Sequence, residues 1–381
     1  VPVGEFWLGQ KKDLVRTATS LAHLYNRPFA AAESFSAFRE NGRWTLTPRQ
    51  LKAETDSAWI RGINRLTVHS YVHQPYTNCV PGVSLGFFGS QFNRNLPWWD
   101  EGLAWSRYVA RGQALLTAGF PLADVLIFRD ETNAMGVPDV PTLNAAGFDY
   151  DYAGSEIVAG LFADGGETRF DGAPHGYRLF QLGGRETHWT LVTLRRVRDL
   201  LEGGACVAGL PPRESPSLAD DENAVRALVA EIWGEADEGV VRSVGRGHLA
   251  VTDDPVRALS LLGVPSPFIA SSPLVAISRQ VGGERLWFVS NPSGGPVHAT
   301  AEFAVGANVR SAELWDAMDG SRRRAEVQPS ASGRARVAID LPPHGSIFVV
   351  FSTASSDADI AARSDPQLVS EIFRGASRQY N

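Results

Sequence analysis

The feature that most constrains this chain is a change of hydrophobic periodicity near residue 270. Before it, apolar residues recur at helical spacing between short strand-like runs; after it, only short runs separated by turn residues remain. Asp13 to Tyr25 places Leu14, Thr17/Ala18, Leu21 and Leu24/Tyr25 on one helix face, and Arg27-Pro28 breaks that helix. Phe29 to Phe35 reads as a short buried strand ending in the carboxylate Glu33. Thr47 is an N-cap with Pro48 at the first helical position, and the helix runs to about Arg61, where Gly62 closes it. Ile63 to Tyr71 is the next strand, Val72 to Trp99 a long aromatic and glycine-rich loop, and Asp100 to Ala118 a helix ending at Gly119. Residues 1 to 120 thus carry the rhythm of parallel βα units.

Residues 121 to 270 keep the rhythm. Strands are expected at Ala123 to Phe128, Tyr177 to Leu182, Ala205 to Leu210 and Val240 to Val244, and helices at Thr190 to Leu201, Asp221 to Trp233 and Asp254 to Leu262. Helical segments of about a dozen residues between strands predict a doubly wound sheet. From 271 to 352 helix signals vanish. Leu274 to Ser278, Arg285 to Ser290, Val297 to Phe303, Ala312 to Leu314, Ala335 to Leu341 and Ser346 to Phe351 predict a β-sandwich. The fold class is therefore α/β followed by all-β. Residues 353 to 381 are polar and read as a linker or the start of a further domain.

Charge narrows the partners. The net charge is −6, and Arg322-Arg323-Arg324 is the one basic run, so a nucleic-acid partner is not expected. The longest apolar runs are strand-sized (Phe29 to Ala32, Ile347 to Phe351), too short for a membrane-spanning helix. Cys79 and Cys206 make neither a disulfide framework nor a zinc spacing and leave the compartment undecided. Val1 to Gln10 has no signal-peptide pattern, and a start at Val1 suggests a chain cut from something longer.

Chemistry concentrates near Glu33. A carboxylate that ends an apolar strand before a loop sits where barrel enzymes place catalytic groups, and its dry approach would raise its pKa toward that of a general acid or base. The competing reading is a Glu that pairs with an Arg or caps a turn. On the next strand His69, Tyr71 and His73 alternate onto one face, with Gln74 beside them, a hydrogen-bonding row that suits a polyhydroxylated ligand. Histidines held by backbone carbonyls are the alternative there. The loop Val80 to Asp100 adds Phe87, Phe88, Phe92, Trp98 and Trp99 with Gln91, Asn93 and Asn95: sugar-subsite chemistry, or rings that pack the loop down. Two weaker patterns carry little. Gly203 to Gly209 loosely resembles an amidotransferase nucleophile turn, but no His-x-Glu partner follows Cys206, so a buried structural Cys is the better reading. Gly245-Arg-Gly247 lacks the rest of a dinucleotide fingerprint.

Two segments carry a family resemblance. Ala22-His23-Leu-Tyr25-Asn-Arg-Pro-Phe-Ala-Ala-Ala-Glu33-Ser-Phe35 and Gly62-Ile-Asn64-Arg-Leu-Thr-Val-His69-Ser-Tyr71-Val-His73-Gln74-Pro75 resemble glycoside hydrolase family 106, the α-L-rhamnosidases. Pro81-Gly82, Phe88-Gly89, Arg94-Asn95, Trp98-Trp99, Ser215 to Asp221 and Glu313-Leu-Trp315-Asp continue it. The resemblance implies the last part of a (β/α)8 catalytic barrel over residues 1–120, only two βα units. An amidotransferase-like α/β domain over 121–270 and a β-sandwich over 271–352 follow.

It also implies inverting hydrolysis of terminal α-L-rhamnosides from pectic or other rhamnose-containing glycans. Glu33 would be the base that activates water, with His69, Tyr71, His73, Gln74, Arg94, Trp98 and Trp99 at the sugar site. Calcium at that site is implied as well, with ligands that cannot be assigned. Barrel strands before Asp13, and the general acid with them, are expected to be missing. This polypeptide alone is then expected to be inactive, and its longer parent active and periplasmic or secreted. Two other readings stay open: a retaining glycosidase of the β-galactosidase type with Glu33 as nucleophile, and a non-catalytic carbohydrate-binding segment.

Overall fold

A computed structural model of the chain describes residues 1–9, 13–38, 42, 44–86, 88–128, 131, 139–183, 188–282, 284–306, 309–330 and 333–352. The expected linker at 353–381, and Phe87, lie outside them. The chain divides into two units, one of residues 1–22, 27–121 and 268–381, the other of 23–26 and 122–267.

The first unit opens with three parallel strands in the order β1 (Val3–Trp7), β2 (Ala31–Ser36) and β3 (Arg65–Val68). Three helices accompany them: α1 (Asp13–Leu24), α2 (Pro48–Ile60) and α3 (Leu103–Thr117). Helix α2 begins where expected. Thr47 and Gln50 form a reciprocal capping box, and Gly62 leaves the helix at φ +88°.

Three expectations are corrected. A strand does precede Asp13: β1 pairs along β2, so residues 1–120 hold three parallel strands. Helix α1 buries Val15, Ala18 and Ala22, while Leu14 and Leu21 are exposed. Small residues set that orientation. Gly4 on β1 lies so close to α1 that a Cβ there would come within 2.7 Å of the Leu14 carbonyl oxygen, so the helix presents its slender side to the sheet. Finally, β3 stops at Val68, so His69, Tyr71 and His73 do not alternate along a strand.

Two antiparallel sheets complete this unit. One runs Phe268–Ala270, Val297–Ala304, Arg334–Leu341, Gln328–Ser330. The other runs Arg322–Ala325, Ser311–Trp315, Ser346–Ser352, Glu284–Ser290, Val275–Val281, Phe120–Leu122. Val297, Ala299, Ala301 and Phe303 alternate inward from the first sheet and share a core with Trp287, Val289, Val349 and Phe351 of the second. The second sheet is covered on its other face too, where Phe288 and Phe348 join Trp59 of α2 and Tyr108 of α3 in one core. Burial on both faces explains why Ile347 to Phe351 is apolar without alternation. The triple-Arg run is an edge strand, Arg322 to Arg324 pairing with Trp315 to Glu313; an edge of charges discourages further strand addition.

The second unit is a six-stranded sheet in the order Val241–Val244, Gly247–Ala250, Cys206–Ala208, Leu179–Leu182, Val125–Phe128, Tyr150–Ala153. All neighbours are parallel except the edge pair Val241–Val244 and Gly247–Ala250, which the Gly245 turn joins. Helices Leu191–Gly203, Glu222–Trp233 and Pro255–Leu261 start at the N-caps Thr190, Asp221 and Asp254. Tyr150–Ala153 escapes a reading by pattern because Asp151 interrupts an otherwise apolar run. Its carboxylate is fully buried and receives His23 Nδ1 at 3.0 Å and the Tyr177 hydroxyl at 3.0 Å.

Candidate functional site

Register assembles the site. On the three parallel strands Glu5, Glu33 and Thr67 are in-register partners, so their side chains share one face of the sheet. Gly4, Ala32 and Leu66 point the other way, toward the core and helix α1.

A bulge completes it. Glu5 pairs with Glu33 but Trp7 pairs with Ser36, so β2 carries one extra residue. Phe35 takes up that residue at φ +65°, a conformation unusual for a large side chain. Its ring is fully buried against Phe6 at 5.2 Å, Trp105 at 5.7 Å and Phe92 at 5.9 Å, which holds the backbone there. The extra residue turns Ser36 back to the face of Glu33. Ser36 Oγ donates to Glu33 Oε1 at 3.1 Å and lies 3.3 Å from His69 Nδ1, while His69 Nδ1 is 3.7 Å from Glu33 Oε1. On the neighbouring strand the Trp7 indole N–H donates to Glu5.

His69 is placed by its backbone. Its N–H donates to the Ser34 carbonyl at 2.9 Å and its own carbonyl accepts from Ser90 N–H at 3.0 Å. The loop can cross it only as glycine: at Gly89 φ is +78°, and a Cβ would lie 3.2 Å from His69 Nδ1.

Glu33 differs from expectation in its surroundings. Its side chain is 45% exposed, so the apolar approach along β2 does not desolvate the carboxylate. Strand alternation is the reason, because Ala32 and Phe35 send their side chains to the core while Glu33 faces the open side.

The other expected site residues separate into two groups. Gln74 is not free to meet a ligand. Its amide nitrogen donates to the Val83 carbonyl at 2.7 Å and the Val72 carbonyl at 3.1 Å, and its oxygen accepts from Val83 N–H at 2.8 Å and Asn95 Nδ2 at 3.3 Å. Arg94 is exposed and donates to the Gln74 carbonyl at 2.7 Å, and the Trp98 indole donates to the Leu46 carbonyl at 2.6 Å. These residues pin the loop. Tyr71, His73 and Trp99 are exposed, with the Tyr71 and Trp99 rings 6.3 Å apart.

Sequence reasoning missed Glu5, Trp7 and Ser36. A signal for the first was present, since Glu5-Phe-Trp7 repeats the carboxylate-then-aromatic order of Glu33-Ser-Phe35, but five residues before a helix are too few for a period. The implied calcium does not find a full ligand set. Among the described residues no group of three His, Cys, Asp or Glu could hold a metal ion, and calcium takes six to eight oxygens.

In the second unit a shallow recess of about 390 Å³ lies at the carboxyl ends of the parallel strands, where doubly wound folds bind ligands, lined by Glu131, Ser155, Thr190 and Thr193. Glu131 accepts from Thr190 N–H at 2.7 Å and Thr190 Oγ1 at 2.9 Å, and Asp220 accepts from Leu191 N–H at 2.7 Å. The helix N-terminus that would attract an anion therefore already has its carboxylates. Cys206 opens its strand, and burial raises its thiol pKa, which keeps it protonated and inert.

Known proteins share this framework. A family model described as alpha-L-rhamnosidase, of glycoside hydrolase family 106, matches residues 1–328. A protein of Formosa agariphila, provisionally named a beta-glucuronidase, is 30% identical over 365 residues, covering 93% of this chain and 30% of its own. The structure of a rhamnosidase from Novosphingobium sp. PP1Y superposes with a TM-score of 0.81 at 28% identity, over 93% of this chain and 35% of that one. A GH42 beta-galactosidase of G. stearothermophilus shares the fold alone, at 10% identity and a TM-score of 0.55, over 92% of this chain and 59% of that one. The chain spans about a third of the length of the first two.

Proposed function

The chain belongs to glycoside hydrolase family 106, the α-L-rhamnosidases, and from that premise we propose that it carries the water-activating half of an inverting α-L-rhamnosidase site. The three parallel strands are then the last part of a (β/α)8 barrel, residues 122–267 an amidotransferase-like α/β domain, and the two antiparallel sheets a β-sandwich. Glu33 is the general base. The observation that carries the reading is the open Glu33 carboxylate, oriented by the Ser36 hydroxyl at 3.1 Å with His69 at 3.7 Å. A base must reach water, and one anchored oxygen leaves the other free to accept its proton.

Glu5 is the direct neighbour of Glu33 on the same sheet face, whereas the acid of an inverting pair stands across the sugar, with roughly 6.5–9.5 Å between the carboxyl groups to admit the water. The acid comes from another part of the barrel. Terminal α-L-rhamnosides of pectic or related glycans are the substrate class that the family supports.

The test uses a polypeptide of the relatives' length. Glu33→Gln should lower kcat on an aryl α-L-rhamnoside by about 10²–10⁴ with little change in KM. A kcat within a few fold of wild type would remove Glu33 from the chemistry. One observation favours a second reading, a retaining mechanism with Glu33 as nucleophile: Glu5 is the in-register neighbour of Glu33 on the adjacent strand, which sets a second carboxylate beside it. Proton NMR of the first-formed sugar separates the two, since inversion delivers β-L-rhamnose and retention α-L-rhamnose.

A further inference from the structure

The second unit takes in two stretches of the chain, 23–26 and 122–267, and one buried cluster holds an end of each. From the short stretch, His23 Nδ1 lies 3.0 Å from both oxygens of Asp151, Leu24 is buried in the unit's core, and the Tyr25 ring meets Phe170 at 5.8 Å. At the start of the long stretch, the Ala123 N–H donates to His175 Nε2 at 3.2 Å. Tyr177 joins the two ends. Its hydroxyl donates to Asp151 at 3.0 Å, and its ring centroid lies 4.9 Å from that of His175. His23, Asp151, Tyr177 and His175 are each over nine-tenths buried.

This cluster cannot take up a proton in place. Because His175 Nε2 accepts, the neutral ring carries its proton on Nδ1, which has no partner among the described residues. A proton on Nε2 would face the Ala123 N–H, donor against donor, and burial opposes the charge, lowering the ring's pKa from 6.5 to about 4. The charged groups facing it pull both ways: Asp151 favours the proton, while His23 and Arg169 oppose it. Arg169 is itself paired with Glu167 at 3.1 Å and Asp164 at 3.5 Å. Burial, then Asp151 and Asp149, raise the Tyr177 pKa, so its hydroxyl remains a donor to Asp151 throughout. His175 can therefore charge only by leaving its place, which breaks the Ala123 contact and, two residues along, disturbs Tyr177 on Asp151.

We propose that His23, Asp151, Tyr177 and His175 form an acid-sensitive latch within the second unit. Closed at neutral pH, it holds residues 23–26 and the Ala123 end in place. In acid it releases both while the six-stranded sheet stays folded. The proposal does not depend on the glycosidase reading or on Glu33.

Hydrogen exchange of the whole 381-residue chain, read by mass spectrometry and corrected for intrinsic rates, tests it at pH 7 and about pH 4.5. A ring whose pKa moves from about 4 closed to 6.5 open raises the open fraction roughly 50-fold between those pH values. Protection of residues 22–27 and 122–124 should accordingly fall at least 10-fold in acid. It should end at least 10-fold below that of the sheet strands Cys206–Ala208 and Gly247–Ala250. In His175→Gln, whose amide oxygen can accept from Ala123 but takes no proton, the acid loss should shrink below threefold. Acid protection of both segments equal to that of the sheet overturns the proposal, since the unit would then open only as a whole. Loss at 122–124 without loss at 22–27 overturns it as well, because Tyr177 and Asp151 would not couple the two ends. So does an undiminished acid loss in a folded His175→Gln. If that variant does not fold, the wild-type pH profile decides: the loss must develop between pH 6.5 and about 4, and a loss confined below pH 4, where carboxyls titrate, overturns the latch.

Discussion

Replacing Lys52 with methionine tests the buried network that ties α2 and α3 to strand Ser346–Ser352. Lys52 Nζ donates to Asp56 Oδ2 at 2.6 Å, to the His344 carbonyl at 2.6 Å and to Ser346 Oγ at 2.9 Å. The Tyr108 hydroxyl donates to Asp56 Oδ1 and lies 2.9 Å from Ser346 Oγ. Burial pushes the Asp56 carboxyl above its ordinary 3.8, and the Lys52 charge is the largest opposing influence. Methionine keeps most of the apolar stem and removes the charge, leaving a buried carboxylate without its counter-ion. Breaking such a pair costs about 3–5 kcal/mol.

The carboxyl can escape by taking a proton, which sets a ceiling. Relative to an ordinary carboxyl with pKa 3.8, protonation costs about 1.4 kcal/mol per pH unit, hence ~4 kcal/mol at pH 7 and less than about 2 kcal/mol at pH 5. The sign follows from proton counts: the folded variant holds a proton that the unfolded chain has released, so its stability falls as pH rises above 3.8. Urea denaturation of Lys52→Met should show a loss of about 4 kcal/mol at pH 7 and under half of that at pH 5. Equal losses at the two pH values, or a loss below about 1 kcal/mol at pH 7, would refute the reasoning. Asp56→Asn leaves Lys52 its other two acceptors and should cost less, about 2 kcal/mol.

Three other outcomes are expected. In the second unit burial lowers the pKa of His175 from 6.5 to about 4, with nearby Asp151 opposing the shift. The unfolded chain therefore takes up the proton first; this contribution, ~3 kcal/mol, is present above pH 6.5 and lost as pH falls toward 4. His175→Gln should flatten the Tm-versus-pH curve in that window, and an unchanged slope would count against it. At the bulge, Phe35→Ala should cost about 3–5 kcal/mol in urea denaturation. Phe35→Gly should be no worse than alanine, because glycine accepts φ +65°; an alanine variant clearly more stable than the glycine variant would argue against backbone strain there. Gln74→Ala should raise hydrogen exchange at the Val83 amide at least 10-fold, since that N–H donates to Gln74 Oε1. Retained protection would show that the loop is held by other contacts.

Much of the element order was legible in the chain. The capping box at Thr47, the caps at Thr190, Asp221 and Asp254, and the inward alternation of Val297 to Phe303 are local signals, and each element lies where its signal does. The strand that carries Glu33 was legible too, from one short motif. The misreadings share a cause. Leu14 and Leu21 look like a core face until Gly4 brings the other side of the helix against the sheet. Gln74 looks like a ligand group until Val83 and Asn95 come back across the loop to take its amide. Glu5 has too little sequence around it to show a period.

By itself, the sequence determined the α/β-then-β order, the family and the strand that carries Glu33, because periodicity, caps and motifs act over a few residues. Tertiary structure alone decided that Glu5, Glu33 and Thr67 share a face and that an extra residue at Phe35 turns Ser36 back to Glu33. Those facts depend on strand register. A slip of one residue reverses every side chain, and what sets register is packing between segments distant in the chain.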